Sequence, residues 1–181
     1  MIIDDKEILK NLKDPLKKEE AFRLILDAYQ ERVYWHIRRM LQNHEDSNDV
    51  AQETWVKFWR SLSSFRGESK VYSYIYRIAT NEVLAFLRKK KKQNFISLSW
   101  SQLSYEDRFR ADEYFDGDEA MIKFKSAIAS LPPKQQLVFN MKYYDQIKYA
   151  DMAEILHTSV GALKASYHLA VKKIEKKLKE H

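Results

Sequence analysis

Apolar positions recur every three or four residues along almost the whole chain. Phe22, Ile25, Tyr29, Val33, Ile37 and Met40 form one such stripe and predict a helix over residues 18–42. The run His44-Glu45-Asp46-Ser47-Asn48-Asp49 breaks the pattern and restarts it. Asp46 or Ser47 is the expected N-cap there, with Asp49 close to the positive helix end. A second helix is predicted over residues 48–62. Residues 63–69 read as a loop, with Ser69 capping a third helix over residues 70–90. That helix begins with Val71, Tyr72, Tyr74, Ile75 and Tyr76 and ends in the basic run Arg88-Lys89-Lys90-Lys91-Lys92.

Residues 93–119 carry no sustained period. They hold Ser97, Ser99, Ser101 and Ser104, then the acidic cluster Asp112, Glu113, Asp116, Asp118 and Glu119, and read as a linker. Phe95, Trp100, Tyr105, Phe109, Tyr114 and Phe115 are more aromatic residues than a purely solvated tether needs, so the linker is expected to dock. Helical spacing resumes over residues 120–130, stops at Leu131-Pro132-Pro133, and continues over 134–144 and 148–156. His157-Thr158 forms a tight joint before a last helix near Ser159. The expected fold is all-α: two small helical domains joined by an extended linker.

Composition supports this. Glycine and proline number three each, against about 22 together in an average chain of this length. A strand-rich fold needs more tight turns than that. Cysteine is absent, which excludes disulfides, thiolate metal sites and cysteine nucleophiles. No apolar run reaches the length of a membrane span, and the acidic start MIIDDKEILKNL does not read as a signal peptide. A soluble cytoplasmic protein is therefore expected. The net charge of +6 is unevenly spread: −3 over residues 1–56, +8 over 57–92, −5 over 93–119 and +6 over 120–181. Two basic blocks flanking an acidic one suit two polyanion-binding modules, although lysine-rich bundle surfaces look the same by charge alone.

The C-terminal block reads as a helix-turn-helix. Ala153 is small where its helices must approach, and Val160 and Leu163 are expected to lock the second helix onto the first. Thr158 or Ser159 can cap that second helix, whose N-terminus suits a phosphate. Gly161, Ala162, Lys164, Ala165, Tyr167, His168 and Lys172 are expected to face outward, toward base edges and phosphates of duplex DNA. The block 57–92 interleaves cations with aromatics. Lys57, Phe58, Trp59, Arg60, Phe65, Arg66, Lys70, Tyr72, Tyr74, Tyr76 and Arg77 suit stacking on unpaired bases with cations along the backbone. Asn81 adds an amide two turns beyond Tyr74. The competing reading makes the tyrosines part of a bundle core. In the helix before this block, Ala51, Thr54, Trp55, Phe58 and Leu62 share one face. Asp49, Gln52, Glu53, Val56 and Arg60 share the other, which reads as a docking face for a protein or as a solvated surface.

Catalytic constellations are missing. The histidines are scattered, no phosphate-cradling glycine loop occurs, and no histidine sits where it would complete a metal site with Asp49 and Glu53. Neither an enzyme nor a metal or cofactor is expected.

Several segments carry a joint signal: Asp49-Val50-Ala51-Gln52-Glu53-Thr54-Trp55, Ser64-Phe65-Arg66-Gly67, Tyr74-Ile75-Tyr76-Arg77-Ile78-Ala79-Thr80-Asn81, Leu131-Pro132, Tyr149-Ala150-Asp151-Met152-Ala153-Glu154-Ile155-Leu156 and Ser159-Val160-Gly161-Ala162-Leu163-Lys164. In their order and spacing the chain resembles bacterial RNA polymerase sigma factors of the extracytoplasmic-function group. The resemblance implies sigma region 2 over residues 1–92, an acidic linker over 93–119 and region 4 over 120–181. It implies that Asp49, Gln52, Glu53, Val56 and Arg60 meet the β′ clamp helices of core polymerase, with the β flap as a further contact. The linker would thread the RNA-exit path. Flipped bases of the −10 element would be captured by Phe65, Arg66, Ser69 and Lys70 with Tyr72, Tyr74, Arg77 and Asn81; Arg88 and Lys89 continue that surface. Ser159, Gly161, Lys164, Ala165, Tyr167, His168 and Lys172 would meet the −35 duplex. An anti-sigma factor is a further implied partner. The chain departs from the family in carrying Tyr74 where tryptophan is common. Ala165, Ser166 and Leu169 stand where the family usually has serine and arginines, so the −35 sequence is expected to differ from family norms. Two other readings remain: a stand-alone helix-turn-helix regulator, and a helical adaptor that binds only proteins.

Overall fold

The structure is a computed structural model that describes residues 5–94, 104–112 and 117–180. The expectations placed on Phe95, Ser97, Ser99, Trp100, Ser101, Glu113, Tyr114, Phe115 and Asp116 lie outside the described residues. Every regular element among the described residues is a helix.

The first domain contains α1 (Asp5–Lys13), α2 (Lys18–Leu41), α3 (His44–Ser61) and α4 (Val71–Asn94). The α1 helix was not foreseen; Ile8 and Leu12, one turn apart, bury its inner face. α2 ends where Gln42 turns left-handed, at φ 56°. α3 then starts earlier than predicted. Its N-cap is Asn43, whose side chain accepts from the Asp46 amide at 2.8 Å, so Asp46 and Ser47 lie inside the helix. Val71, Ile75, Ala79 and Val83 recur every four residues along α4 and are each 0% exposed, as are Ile25, Val33 and Ile37 of α2 and Phe58 of α3. Burying side chains of this size stabilises by about 1.5–3 kcal/mol each. Phe22 completes the packing against Phe58 and Trp59, at 6.0 and 4.9 Å between ring centroids.

The second domain contains α5 (Tyr105–Arg110), α6 (Glu119–Ala129), α7 (Pro133–Tyr143), α8 (Tyr149–Leu156) and α9 (Val160–Lys179). α5 lies within the segment read as an aperiodic linker, capped by Ser104. α6 is capped by Asp118, and Pro133 opens α7 at a position where its missing N–H costs nothing. Between α8 and α9, His157 adopts a left-handed conformation at φ 49° and Ser159 accepts from the Ala162 amide at 3.2 Å. These two residues make the turn of the helix-turn-helix. Leu163 is 1% exposed and locks α9 down, whereas Val160 is 37% exposed and does not, because it sits on the outer side of the first turn.

The two domains are in direct contact: α4 packs on α8, and α2 on α7. One buried cluster runs from Ile25 and Ile75 in the first domain to Met141 and Met152 in the second. Independent modules on a tether would not share apolar surface in this way.

Candidate nucleic-acid interface

The loop between α3 and α4 is shaped by Gly67, which sits at φ +77°. There the chain turns back toward α4 and brings Phe65 onto Tyr74, with ring centroids 4.5 Å apart and planes 24° apart. Beside this pair lies a cavity of about 370 Å³, lined by Ser64, Phe65, Arg66, Glu68, Ser69, Tyr74, Arg77 and Glu154. Tyr74, Arg77, Asn81 and Arg88 follow one another at helical spacing, so they form a single stripe along α4. Asn81, Arg88 and Lys89 are exposed.

The geometry differs from the expectation in three respects. Phe65 is only 9% exposed, because it stacks on Tyr74; it forms the floor of a cavity rather than an open platform. Tyr76, at 1% exposed, belongs to the core. Tyr72 and Arg77 do not face open solvent, because α8 lies across them, and Lys70, although exposed, is drawn to the same helix. Lys70 Nζ donates to Asp151 Oδ1 at 2.9 Å, and Arg77 Nη2 to the Glu154 carbonyl at 3.3 Å. Burial pushes the Tyr72 phenol well above its ordinary pKa, with its bond to Asp151 adding to the rise.

On α3, Asp49, Gln52, Glu53 and Arg60 are exposed and Val56 half-buried, while Thr54 and Phe58 face the core. The two-faced reading of this helix therefore matches the geometry. Lys57 reaches Glu82 of α4 at 2.7 Å and Glu53 at 3.6 Å. The hydrogen bond with Glu82 holds the ammonium above its ordinary pKa, against a smaller opposing effect of burial.

On α9, Ser159, Gly161, Lys164, Ala165, His168 and Lys172 are exposed, and nothing lies within 4 Å of a Cβ placed on Gly161. Tyr167 departs from the expectation. Its ring stacks on Phe139 at 5.7 Å, 11° from parallel, so packing against α7 holds it partly buried.

The sequence reading singled out neither His36 nor Asp145, and it used Asp151 and Glu154 only as parts of a family segment. The structure brings all four to the boundary between the domains. His36 is 0% exposed; its Nδ1 lies 3.0 Å from Asp145 Oδ2 and its Nε2 lies 3.1 Å from Thr80 Oγ1. Arg39 Nη1 donates to the other Asp145 oxygen at 2.6 Å. A histidine inside an apolar stripe was the one available signal, since a buried imidazole needs partners.

Residues 25–93 match the family described as Sigma-70 region 2, and residues 121–174 match Sigma-70, region 4. The chain is 29% identical to the ECF RNA polymerase sigma factor SigW of Bacillus subtilis, over 96% of this chain and 97% of that one. It is 27% identical to the ECF RNA polymerase sigma-E factor of Haemophilus influenzae, over 97% of this chain and 96% of that one. Among solved structures, its fold is similar to CnrH in complex with the cytosolic domain of CnrY, with a TM-score of 0.71, 16% identity and 97% of each chain covered. It is also similar to the sigma factor RpoE of Bartonella quintana in complex with the anti-sigma factor NepR, with a TM-score of 0.69 and 21% identity over 87% of this chain and 96% of that one. A stand-alone regulator or an adaptor would not call for both sigma regions in one chain. With both regions in order, and with full-length likeness to ECF factors, the chain belongs to the sigma-70 family as a sigma factor of the extracytoplasmic-function group.

Proposed function

We propose that this sigma factor joins core RNA polymerase through the outer face of α3 and holds unpaired −10 bases in the cavity beside Phe65 and Tyr74. The cavity is the observation that carries this reading. It combines an aromatic floor, the hydroxyls of Ser64 and Ser69, and the cations Arg66 and Arg77. Aromatic faces stack on any base, hydroxyls reach base edges, and guanidinium groups hold phosphates. Asn81 and Arg88 extend the same stripe, with Lys89 beside it, and would guide the strand onward. Base capture offsets the few kcal/mol typically needed to unstack a step.

Asp49, Gln52, Glu53, Val56 and Arg60 form the polymerase-facing surface, toward the β′ clamp helices, with the β flap as a second contact. On α9, Ser159, Gly161, Lys164 and Ala165 occupy the end of the helix that would enter the −35 major groove. His168 and Lys172 lie farther along, toward phosphates. Tyr167 serves this helix by fixing it to α7 rather than by touching DNA. The chain acts without catalysis of its own, in the cytoplasm with polymerase, and an anti-sigma protein is its proposed regulator. No described helix is long and apolar enough to cross a membrane.

Reconstitution with core polymerase tests the reading. Promoter-dependent transcripts from pooled genomic fragments are expected only when both components are present. Failure with several pools, alongside an active housekeeping sigma control, would count against it.

A further inference from the structure

Away from the surfaces assigned to promoter and polymerase, a cavity of about 320 Å³ opens where the second half of α2 meets α5, α6 and α7. That size lies at the small end of the range for ligand sites. Trp35, Phe109 and Tyr144 supply aromatic walls. Trp35 is 41% exposed and Phe109 8%, so the cavity leads inward from the surface.

Its charge is one-sided. Arg38, Arg39 and Lys125 line it against a single carboxylate, Asp112, among the described lining residues. Both guanidinium groups are already placed. Arg38 pairs with Asp112. Arg39 Nη1 donates to Asp145 Oδ1 at 2.6 Å, and its Cζ lies 4.6 Å from the centre of the Tyr144 ring. Lys125 stands in the field of both. Burial first, then the Arg38 guanidinium, hold its ammonium below its ordinary pKa, and Asp112 opposes them without prevailing. A crowded cation of this kind favours an occupant of opposite sign. A guanidinium carries five N–H donors, so Arg38 can hold Asp112 and an anion together.

The inner end makes a further demand. Asn140 of α7 is 1% exposed. Its Nδ2 donates to Met40 Sδ, a weak acceptor, at 3.5 Å. Its Oδ1 finds no hydrogen-bond partner among the described residues. A buried acceptor left in this way favours an occupant that brings a donor.

These features define the occupant. Aromatic walls select a flat ring, the cations select a negative group, and Asn140 selects an N–H. A cavity of this size takes a small molecule rather than a nucleic-acid strand, and its charge repels a metal ion. We propose that it is a binding site for a small planar aromatic anion. The ring lies against Trp35, Phe109 and Tyr144, a carboxylate or phosphate sits on Arg38 and Lys125, and a ring N–H is directed at Asn140.

Titration calorimetry on the full-length protein tests this with two probes, adenosine monophosphate and indoleacetate. Both carry a flat ring with an N–H and an anionic arm, which ends in phosphate in the first and in carboxylate in the second. Saturable binding of at least one probe is expected, at about 100 μM or tighter. The probe that binds identifies the anionic group. Inorganic phosphate is the charge-only control and is expected to bind at least about tenfold more weakly. In NMR spectra of the indole N–H groups, the Trp35 resonance, assigned through Trp35→Phe, is expected to move along the same saturation curve. Lys125→Met and Asn140→Leu are each expected to weaken binding about tenfold. Neither is expected to lower thermal stability, since each replaces a polar side chain in apolar surroundings by an apolar one of similar length. Any of four results would overturn the proposal: no saturation with either probe, an unmoved Trp35 resonance, inorganic phosphate binding as tightly as the probes, or undiminished affinity in either variant.

Discussion

At Gly67 the backbone takes φ +77°, and an added Cβ would lie 2.9 Å from Leu9 Cδ1. Leu9 is flexible at that end and can give way, so the backbone angle sets the cost. Gly67→Ala is expected to destabilise the protein by about 1–2 kcal/mol, read as a lower urea midpoint at unchanged slope. Asp151 is a second residue with a defined expectation. Burial alone would raise its pKa, but hydrogen bonds from Tyr72 and Lys70 outweigh burial and hold the carboxyl below its ordinary value of 3.8. Because the folded value is the lower one, the stabilisation is complete above the unfolded pKa and drains away as pH falls through the folded pKa. A carboxyl NMR titration should therefore place Asp151 below 3.8 in the wild type and closer to it in Lys70→Ala. The two residues differ in legibility. A lone glycine in a polar loop announces a turn, whereas an aspartate on a short amphipathic helix looks solvated until its partner 81 residues away is known.

Along single helices, the period of apolar residues carried most of the information. It located α2, α4 and α6 through α9 to within a few residues, because each buries one continuous stripe. It was weaker where capping decides. α3 begins at His44 rather than near residue 48 because Asn43 caps it, and Asn43 stands before a polar run with no apolar stripe to mark it. The short α1 left little trace, because it buries only Ile8 and Leu12, too few positions for a period to stand out. On α3 the two faces were legible, since Thr54 and Phe58 must face inward and the carboxylates then cannot. Glu53→Lys reverses a charge in the middle of the exposed face while leaving that packing alone. It is expected to weaken binding to core polymerase about tenfold or more, with unchanged thermal stability. Equal affinity in a pull-down titration would remove the face from the polymerase contact.

For the whole molecule, the order of the sigma regions was readable and their mutual placement was not. Order follows from local stripes and motifs. Placement follows from contacts such as His36 with Asp145, which pair residues 109 apart and leave no periodic trace. Phe65 shows the same limit, because aromatic residues among cations suit stacking on bases and stacking on each other equally well. The proposed function depends on the −10 cavity and the α4 stripe acting on separated strands. Its most direct test places 2-aminopurine in the −10 non-template strand of a promoter identified by sequencing transcripts of the reconstituted holoenzyme. Wild-type holoenzyme is expected to raise the fluorescence as bases leave the stack. Asn81→Ala is expected to reduce that opening about tenfold while core binding stays intact. If Asn81→Ala opens the promoter as fully and as fast as the wild type, the stripe does not hold the unpaired strand.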